Sequence, residues 1–403
     1  MMAMTPPPRF RADFETVDVY KVVQTLEALS ERFGIPVQDW VKLNQNENPY
    51  GPAPEAKAAI RDISLNRYPD SASADLREAL AEYCGVAAER IVTGNGGDEV
   101  IDAIFRLFID PGDEAINSPP TFGFYPVVSK LNRARLVNVP RDSRFCIDVK
   151  GVERAVSNRT KLILVCSPNN PTANLTTESD LVQLLEIGIP VLVDEAYVEF
   201  AGTTILPLQE RYPHMMVIRT FSKWAGLAGL RVGYGIFSAP LASKVRAIRP
   251  AYTVNAAADA AAMASLAHRQ GLLRTVEAIR RSRARLVEAL GSTTLMRAWP
   301  SDTNFVYCTA GAAASIANVY EELLKRGILV RLFANPDAVR ITVGTDAENA
   351  RLLEALSEIR DAHEAARHAP AESMFHVKQS DFSGATVEPA GDGTHSLQAK
   401  RTE

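Results

Sequence analysis

The sequence predicts an α/β protein with a large domain, built on a mostly parallel central sheet flanked by helices, and a smaller α+β domain. Three observations carry this. Between residues 89 and about 249, short runs rich in Val and Ile alternate with helical stretches. Several of those runs are apolar on both faces, as strands of a covered parallel sheet should be. After Pro250 the texture changes to an Ala-rich helical stretch followed by a second set of strands and helices. The length, 403 residues, is generous for one core, so two or three domains are expected.

Taken in order, residues 1–13 are Pro-rich and read as a flexible arm without the apolar core of a signal peptide. Residues 14–48 are expected to pack with the small domain. Within 18–33, Val19, Val22, Val23, Leu26 and Leu29 recur at helical spacing. The large domain is assigned to 49–250, entered through a Pro/Asn/Gly-rich connector at 43–54. A short helix at 75–84 precedes strands at 90–93, 114–117, 136–139, 161–166, 190–193, 215–219 and 230–237. The small domain, 251–365, opens on a helical pattern that runs from 255 through 290. Strands at 303–308, 328–332 and 339–343 and helices at 314–325 and 347–363 complete it. From about residue 366 to 403 the chain is polar and patternless, and disorder is expected.

Composition excludes several functions. With 44 Lys+Arg against 48 Asp+Glu the net charge is -4, which argues against nucleic acid or an anionic membrane as main partner. No apolar run approaches the ~20 residues that span a bilayer. Four cysteines without a CxxC pair indicate neither zinc nor a disulfide framework, and a cytoplasmic setting is expected. Of six histidines only His214 and His268 lie in the body of the chain. A histidine metal centre or a Ser-His-Asp triad therefore has little material, no metal is expected, and acid-base chemistry falls to another residue type.

Five runs carry chemistry. In FSKWAGLAGLRVGYG, residues 221–235, Lys223 follows a strand at the mouth of a buried sheet, where burial lowers an amine's pKa toward nucleophilic use. Ser222 and Arg231 can both reach a phosphate. The bland reading is a loop with structural glycines. In VLVDEAYVEF, residues 191–200, Asp194 ends a strand apolar on both faces, where a carboxylate is expensive unless paired, and strand carboxyl ends are where α/β sheets place ligands. Tyr197 lies three residues on. The alternative is a helix N-cap aspartate beside a core tyrosine. In LVCSPNNPTAN, residues 164–174, Asn169 or Asn170 can project an amide into the same crevice. In IVTGNGGDEVIDAIF, residues 91–105, free amides around Gly96, Gly97 and Asp98 at a helix start suit a phosphate, although neither GxGxxG nor a P-loop is present. In SPPTFGFYP, residues 118–126, Phe122 is either a ring-stacking residue or core.

Together these features are an amine, a carboxylate for a pyridinium, donors for a phenolate oxygen, a phosphate cup and a stacking ring, which match the parts of pyridoxal 5′-phosphate (PLP). The order Asn-Pro-Thr, Asp-x-x-Tyr, Ser-Lys and an arginine eight residues on resembles the fold type I PLP-dependent aminotransferases. Within them the chain is most similar to histidinol-phosphate aminotransferases over roughly residues 20–356. LNQNENPYG (43–51), NRYPD (66–70), CSPNNPT (166–172), VDEAYVEF (193–200), SKWAGLAGLRVGY (222–234) and RITVGT (340–345) are the specific pieces. The resemblance implies that Lys223 is the Schiff-base lysine and Asp194 the partner of the ring nitrogen. It implies that Asn170 and Tyr197 donate to O3′, and that Ser222, Arg231 and the Gly97 and Asp98 amides hold the phosphate. Phe122 would stack on the ring, and Tyr68 would come from the neighbouring subunit of a homodimer. Tyr20, Asn46, Arg331 and Arg340 would line the substrate end.

The implied reaction is transamination of histidinol phosphate with 2-oxoglutarate, with imidazole-acetol phosphate as keto partner, in L-histidine biosynthesis. One site must then accept a phosphate and a carboxylate in turn, which planar guanidiniums do well. Alternatives on the same fold are an aromatic amino acid aminotransferase and a PLP-dependent decarboxylase of a phosphorylated amino acid. Ala173, Leu332 and Asp302 depart from the family's usual pattern and bear on substrate choice.

Overall fold

The computed structural model describes residue 11 and residues 24–312, 315–334 and 337–368. Its strands in chain order are β1 (Val41–Lys42), β2 (Ile91–Gly94), β3 (Glu114–Asn117), β4 (Arg135–Asn138), β5 (Thr160–Cys166), β6 (Val191–Asp194), β7 (Met215–Thr220), β8 (Gly233–Ile236), β9 (Met296–Ala298), β10 (Phe305–Ala310), β11 (Ile328–Leu329), β12 (Arg331–Ala334) and β13 (Asp337–Thr342). The central sheet has the order β2-β8-β7-β6-β5-β3-β4. Its neighbours from β7 to β4 are parallel, and β8 alone runs antiparallel to both its partners.

The two-faced apolar pattern has its reason in the packing. Val191 and Val193 of β6 belong to one buried cluster, and Leu192 between them belongs to another on the opposite face. Every residue of β6 and β7 is buried. Register then sets up the crevice. Cys166 of β5 is level with Asp194 of β6, and Asp194 with Ile218 of β7. The reversed strand β8 puts Gly233 level with Thr220 on one side and Gly94 on the other. The ends of five strands therefore meet at one edge of the sheet.

A second, antiparallel sheet has the order β12-β13-β10-β9, and β1 pairs in parallel with β11. The first buried cluster extends from Val193 and Trp224 to Phe305 and Val339, so the two sheets share apolar packing. The described chain up to His363 forms one compact unit.

Most expected elements are present within a few residues, and the differences have local causes. The strand expected at 230–237 shortens because Ala228–Leu230 is a 3-10 turn and Arg231 adopts φ 55. The strand expected at 328–332 divides at Val330, one part pairing with β1 and the other with β13. The helical run 255–290 breaks at His268, between Ala256–Ala267 and Arg269–Gly291. Of the helix expected at 18–33, residues 18–23 with Val19, Val22 and Val23 lie outside the described residues; Leu26–Phe33 is helical, capped by Thr25, whose Oγ1 accepts from the Ala28 amide at 3.2 Å. The expected arm (apart from residue 11) and nearly all of the expected C-terminal tail lie outside the described residues. Strands β1 and β9, of two and three residues, are too short to leave a periodic signal.

The chain leaving β6 is fixed by a buried ion pair. Arg219 of β7 donates through Nε to Glu195 Oε2 at 2.9 Å, and Nη2 reaches the same oxygen at 2.8 Å. Glu195 also accepts from Thr204 Oγ1 and the Ile205 amide. Removing one partner of such a pair leaves a buried charge uncompensated. Arg219→Leu is therefore expected to destabilise the protein by about 3–5 kcal/mol. A lowered urea midpoint at unchanged slope is the expected reading; an unshifted midpoint would refute it.

Candidate active site

A cavity of about 540 Å³ opens at this strand edge. The ends of β5, β6 and β7 form its floor, residues 44–47 close one side, and β12 and β13 supply the far wall.

Lys223 enters it from the turn after β7. Thr220 Oγ1 accepts from the Ser222 amide at 3.1 Å and contacts Ser222 Oγ at 3.0 Å, which bends the chain sharply. Trp224, fully buried and stacked on Tyr83 with ring centroids 5.5 Å apart, anchors the next residue. Lys223 Nζ donates to the Gln45 carbonyl at 3.2 Å. Burial, and then the charge of Arg340, bring its pKa down to about 8, against the opposing pull of Glu47 and Asp98.

Asp194 sits at the centre of the floor. Its Oδ1 accepts from the Ala196 amide at 3.0 Å, two residues on; the helix that follows is Val198–Ala201 with Tyr197 at its N-cap position, so Asp194 is not the helix N-cap that the alternative reading made it. The other oxygen, Oδ2, faces the Tyr125 hydroxyl at 3.5 Å. Burial pushes its pKa up to about 7, with the Ala196 amide opposing and nearby Asp98 adding to the rise. Tyr197, also buried, accepts at its hydroxyl from Asn46 Nδ2 at 2.9 Å. Asn46 is itself held by Thr342 and by Asn304, whose Nδ2 donates to the Asn46 carbonyl.

The two asparagines of the turn after β5 separate cleanly. Asn169 is consumed by the turn, bonded to Thr121, Pro120 and Thr172. Asn170 lines the cavity, and its Oδ1 accepts from Arg340 Nη1 at 2.6 Å. A guanidinium only donates, so this bond fixes the amide orientation and turns Nδ2 away from Arg340. Ala173 in the same turn has φ 68, the left-handed region that favours glycine. Arg340 also donates to the Asn44 carbonyl at 2.7 Å. Arg331 stands directly opposite Arg340 in the β12/β13 register, and both line the cavity.

At the other end, the helix Gly97–Phe108 points its N-terminus at the cavity and has no side-chain cap. The space there is reserved for backbone. A Cβ on Gly96 would fall 2.7 Å from Arg231 Nη2, and one on Gly233 would fall 2.5 Å from the Gly97 nitrogen. Arg231 is held over this cradle by Asp98 at 2.9 Å. Phe122 lines the cavity beside Thr121, its ring edge-on to Tyr125 at 5.5 Å. Tyr68 lies away from its own chain's cavity, 81% exposed and stacked on Tyr252 at 4.5 Å. Tyr20 lies outside the described residues.

Sequence reasoning missed four contributors. Tyr125 lies in the run that singled out Phe122, but nothing in that run tells which aromatic turns inward. The Gln45 and Asn44 carbonyls act through backbone, which no side-chain pattern reveals. Phe333 reads as an ordinary strand residue. The set assembled here fits PLP: free amides and Ser222 and Arg231 for a phosphate, a buried carboxylate with no cation beside it among the described residues for a pyridinium, and an amine of lowered pKa for an aldehyde.

The class I and II aminotransferase model matches residues 38–356. The chain belongs to this aminotransferase family. A histidinol-phosphate aminotransferase from Dehalococcoides mccartyi is 41% identical over 353 residues, covering 87% of this chain and 97% of that one. One from Roseiflexus castenholzii is 42% identical, with 87% and 97% covered. The crystal structure of the Sinorhizobium meliloti histidinol-phosphate aminotransferase, solved in complex with pyridoxal-5′-phosphate, superposes with TM-score 0.80 at 28% identity. It covers 89% of this chain and all of that one. The fold of this aminotransferase is accordingly fold type I, with the mostly parallel sheet expected.

The raised Asp194 has a consequence for the cofactor-free aminotransferase. The unfolded chain releases the Asp194 proton near pH 4, whereas the folded chain keeps it to about 7. Stability contributed by this group therefore falls as pH rises from about 4 to about 7. Asp194→Asn is expected to raise the thermal midpoint of the cofactor-free protein at pH 8 and to flatten its decline across that window. Identical pH profiles for the two proteins would show that Asp194 ionises at an ordinary value.

Proposed function

We propose that the protein transfers an amino group between histidinol phosphate and 2-oxoglutarate, forming imidazole-acetol phosphate and glutamate, in L-histidine biosynthesis. The observation that carries this reading is the convergence of Lys223, Asp194 and the paired guanidiniums of Arg331 and Arg340 on one cavity. The names of relatives 41–42% identical over most of the chain support the choice of substrate.

Bound PLP supplies an electron sink for the carbanion left when the substrate Cα loses its proton. Asp194, ionised, is the counter-charge for a protonated ring nitrogen. Lys223 Nζ, with its pKa near 8, takes the Cα proton as general base and returns it as general acid. Asn170 Nδ2 and the Tyr197 hydroxyl, whose proton is left to donate because Asn46 is its donor, serve the ring oxygen. Ser222, Arg231 and the Gly97 and Asp98 amides bind the phosphate, and Phe122 covers the ring face. Arg331, Arg340 and Asn46 orient the substrate, with Tyr20 assigned to the same end. Tyr68, exposed on its own chain, is assigned to the site of a second copy in a homodimer. The division at residue 250 into large and small domains, and a cytoplasmic location, belong to the same reading. No described helix is long and apolar enough to cross a membrane.

The test is turnover by the purified protein loaded with PLP. Glutamate is expected to form from histidinol phosphate and 2-oxoglutarate much faster than from phenylalanine and 2-oxoglutarate. A preference for phenylalanine, or release of CO2 from a phosphorylated amino acid, would replace this reading with one of its rivals. Lys223→Ala is expected to abolish turnover while PLP still binds without covalent attachment; activity retained at the parent level would remove Lys223 from the mechanism.

A further inference from the structure

We infer that Phe333 discriminates the ring-bearing substrate, its ring forming the surface against which an imidazole side chain lies, beside the guanidinium that takes a carboxylate in its place. This deepens the proposed function and rests on it.

Alternation along β12 puts Arg331 and Phe333 on one face of the strand, and both line the cavity. Arg340 faces them from β13, since Arg331 pairs with Arg340 and Phe333 with Ala338. The two guanidiniums are not equivalent. Arg340 is pinned by Asn170 and the Asn44 carbonyl. Arg331 makes no hydrogen bond or ion pair among the described residues, so its donors are available to a ligand.

Phe333 is held in place by a chain of further rings. Its ring is packed edge-on by Tyr307 at 6.3 Å and 69°. Tyr307, fully buried, is in turn edge-on to Phe145 at 5.4 Å, and Phe145 to Trp299 at 4.7 Å. The other aromatic residues lining the cavity, Phe122 and Tyr197, belong to its cofactor end. Phe333 is thus the aromatic surface of the substrate wall among the described residues.

The chemistry of the two substrates calls for such a pair. Histidinol phosphate carries one anionic group and a planar heterocycle, whereas glutamate carries two carboxylates. A guanidinium alone serves the second carboxylate but leaves an imidazole without a complementary face. A ring two residues along the same strand face, about 7 Å away, supplies it. Each substrate then uses its own member of the pair, without rearrangement of the wall.

The test compares half-reactions of the PLP-loaded wild type, Phe333→Leu and Phe333→Tyr with histidinol phosphate and with glutamate as amino donors. Phe333→Leu keeps apolar volume and removes the ring face; Phe333→Tyr keeps the face. In Phe333→Leu the ratio of kcat/KM for histidinol phosphate to that for glutamate is expected to fall about tenfold, mostly through KM. Phe333→Tyr is expected to stay within about twofold of wild type in that ratio. An equal loss for both donors in Phe333→Leu would mean that the ring only supports the wall, and an unchanged ratio would mean that it reads nothing; either overturns the inference while leaving the proposed function standing. A wild-type protein inert toward histidinol phosphate would overturn the proposed function itself, and this assignment with it.

Discussion

The site is organised around a carboxylate placed where a charge is hardest to sustain. Asp194 lies at the end of a strand buried on both faces, and among the described residues no arginine or lysine pairs with it. An isolated ion in that position is costly, so the group keeps its proton to near neutrality. Only a cation delivered from outside the chain makes the ionised form comfortable. A protonated pyridine ring meets that need, and the phosphate cradle on one side and Lys223 on the other give such a ring its two further attachments. Occupancy of the cavity and ionisation of Asp194 are thereby linked.

The second constraint is that the cavity's walls come from distant parts of the chain. Residues 41–48 tie them together. Strand β1 pairs with β11, the Asn44 carbonyl takes Arg340, the Gln45 carbonyl takes Lys223, and Asn46 joins Thr342 to Tyr197. Asn48 Nδ2 closes the strap on the Trp224 carbonyl at 3.0 Å. A segment that composition alone describes as a connector is in fact the piece that couples the amine loop to the arginine wall.

That contrast explains what the sequence reveals and what it conceals. Asp194 and Lys223 are legible because each stands at or just past the end of a strand whose apolar run stops abruptly, and the ends of parallel strands gather at one edge whatever the loops do. The phosphate cradle is legible through its glycines, since close backbone approach leaves no room for a Cβ. Tyr125 is not legible, because whether an aromatic in a short helix faces the core or the carboxylate depends on packing across the sheet. The choice between Asn169 and Asn170 is settled only by the turn they share. The β11/β12 division is hidden for a similar reason: one apolar run serves two sheets, and which partner each half takes is decided by β1 and β13.

The most direct measurement is the ionisation of Asp194 itself, followed by the carboxyl infrared signal that disappears in Asp194→Asn. Without cofactor the protonated band should persist to a midpoint of about 7, and with PLP bound it should be absent throughout the neutral range. A midpoint at the ordinary carboxylate value in the empty protein, or one that PLP leaves unmoved, would contradict the link between this buried acid and the ligand it is built to receive.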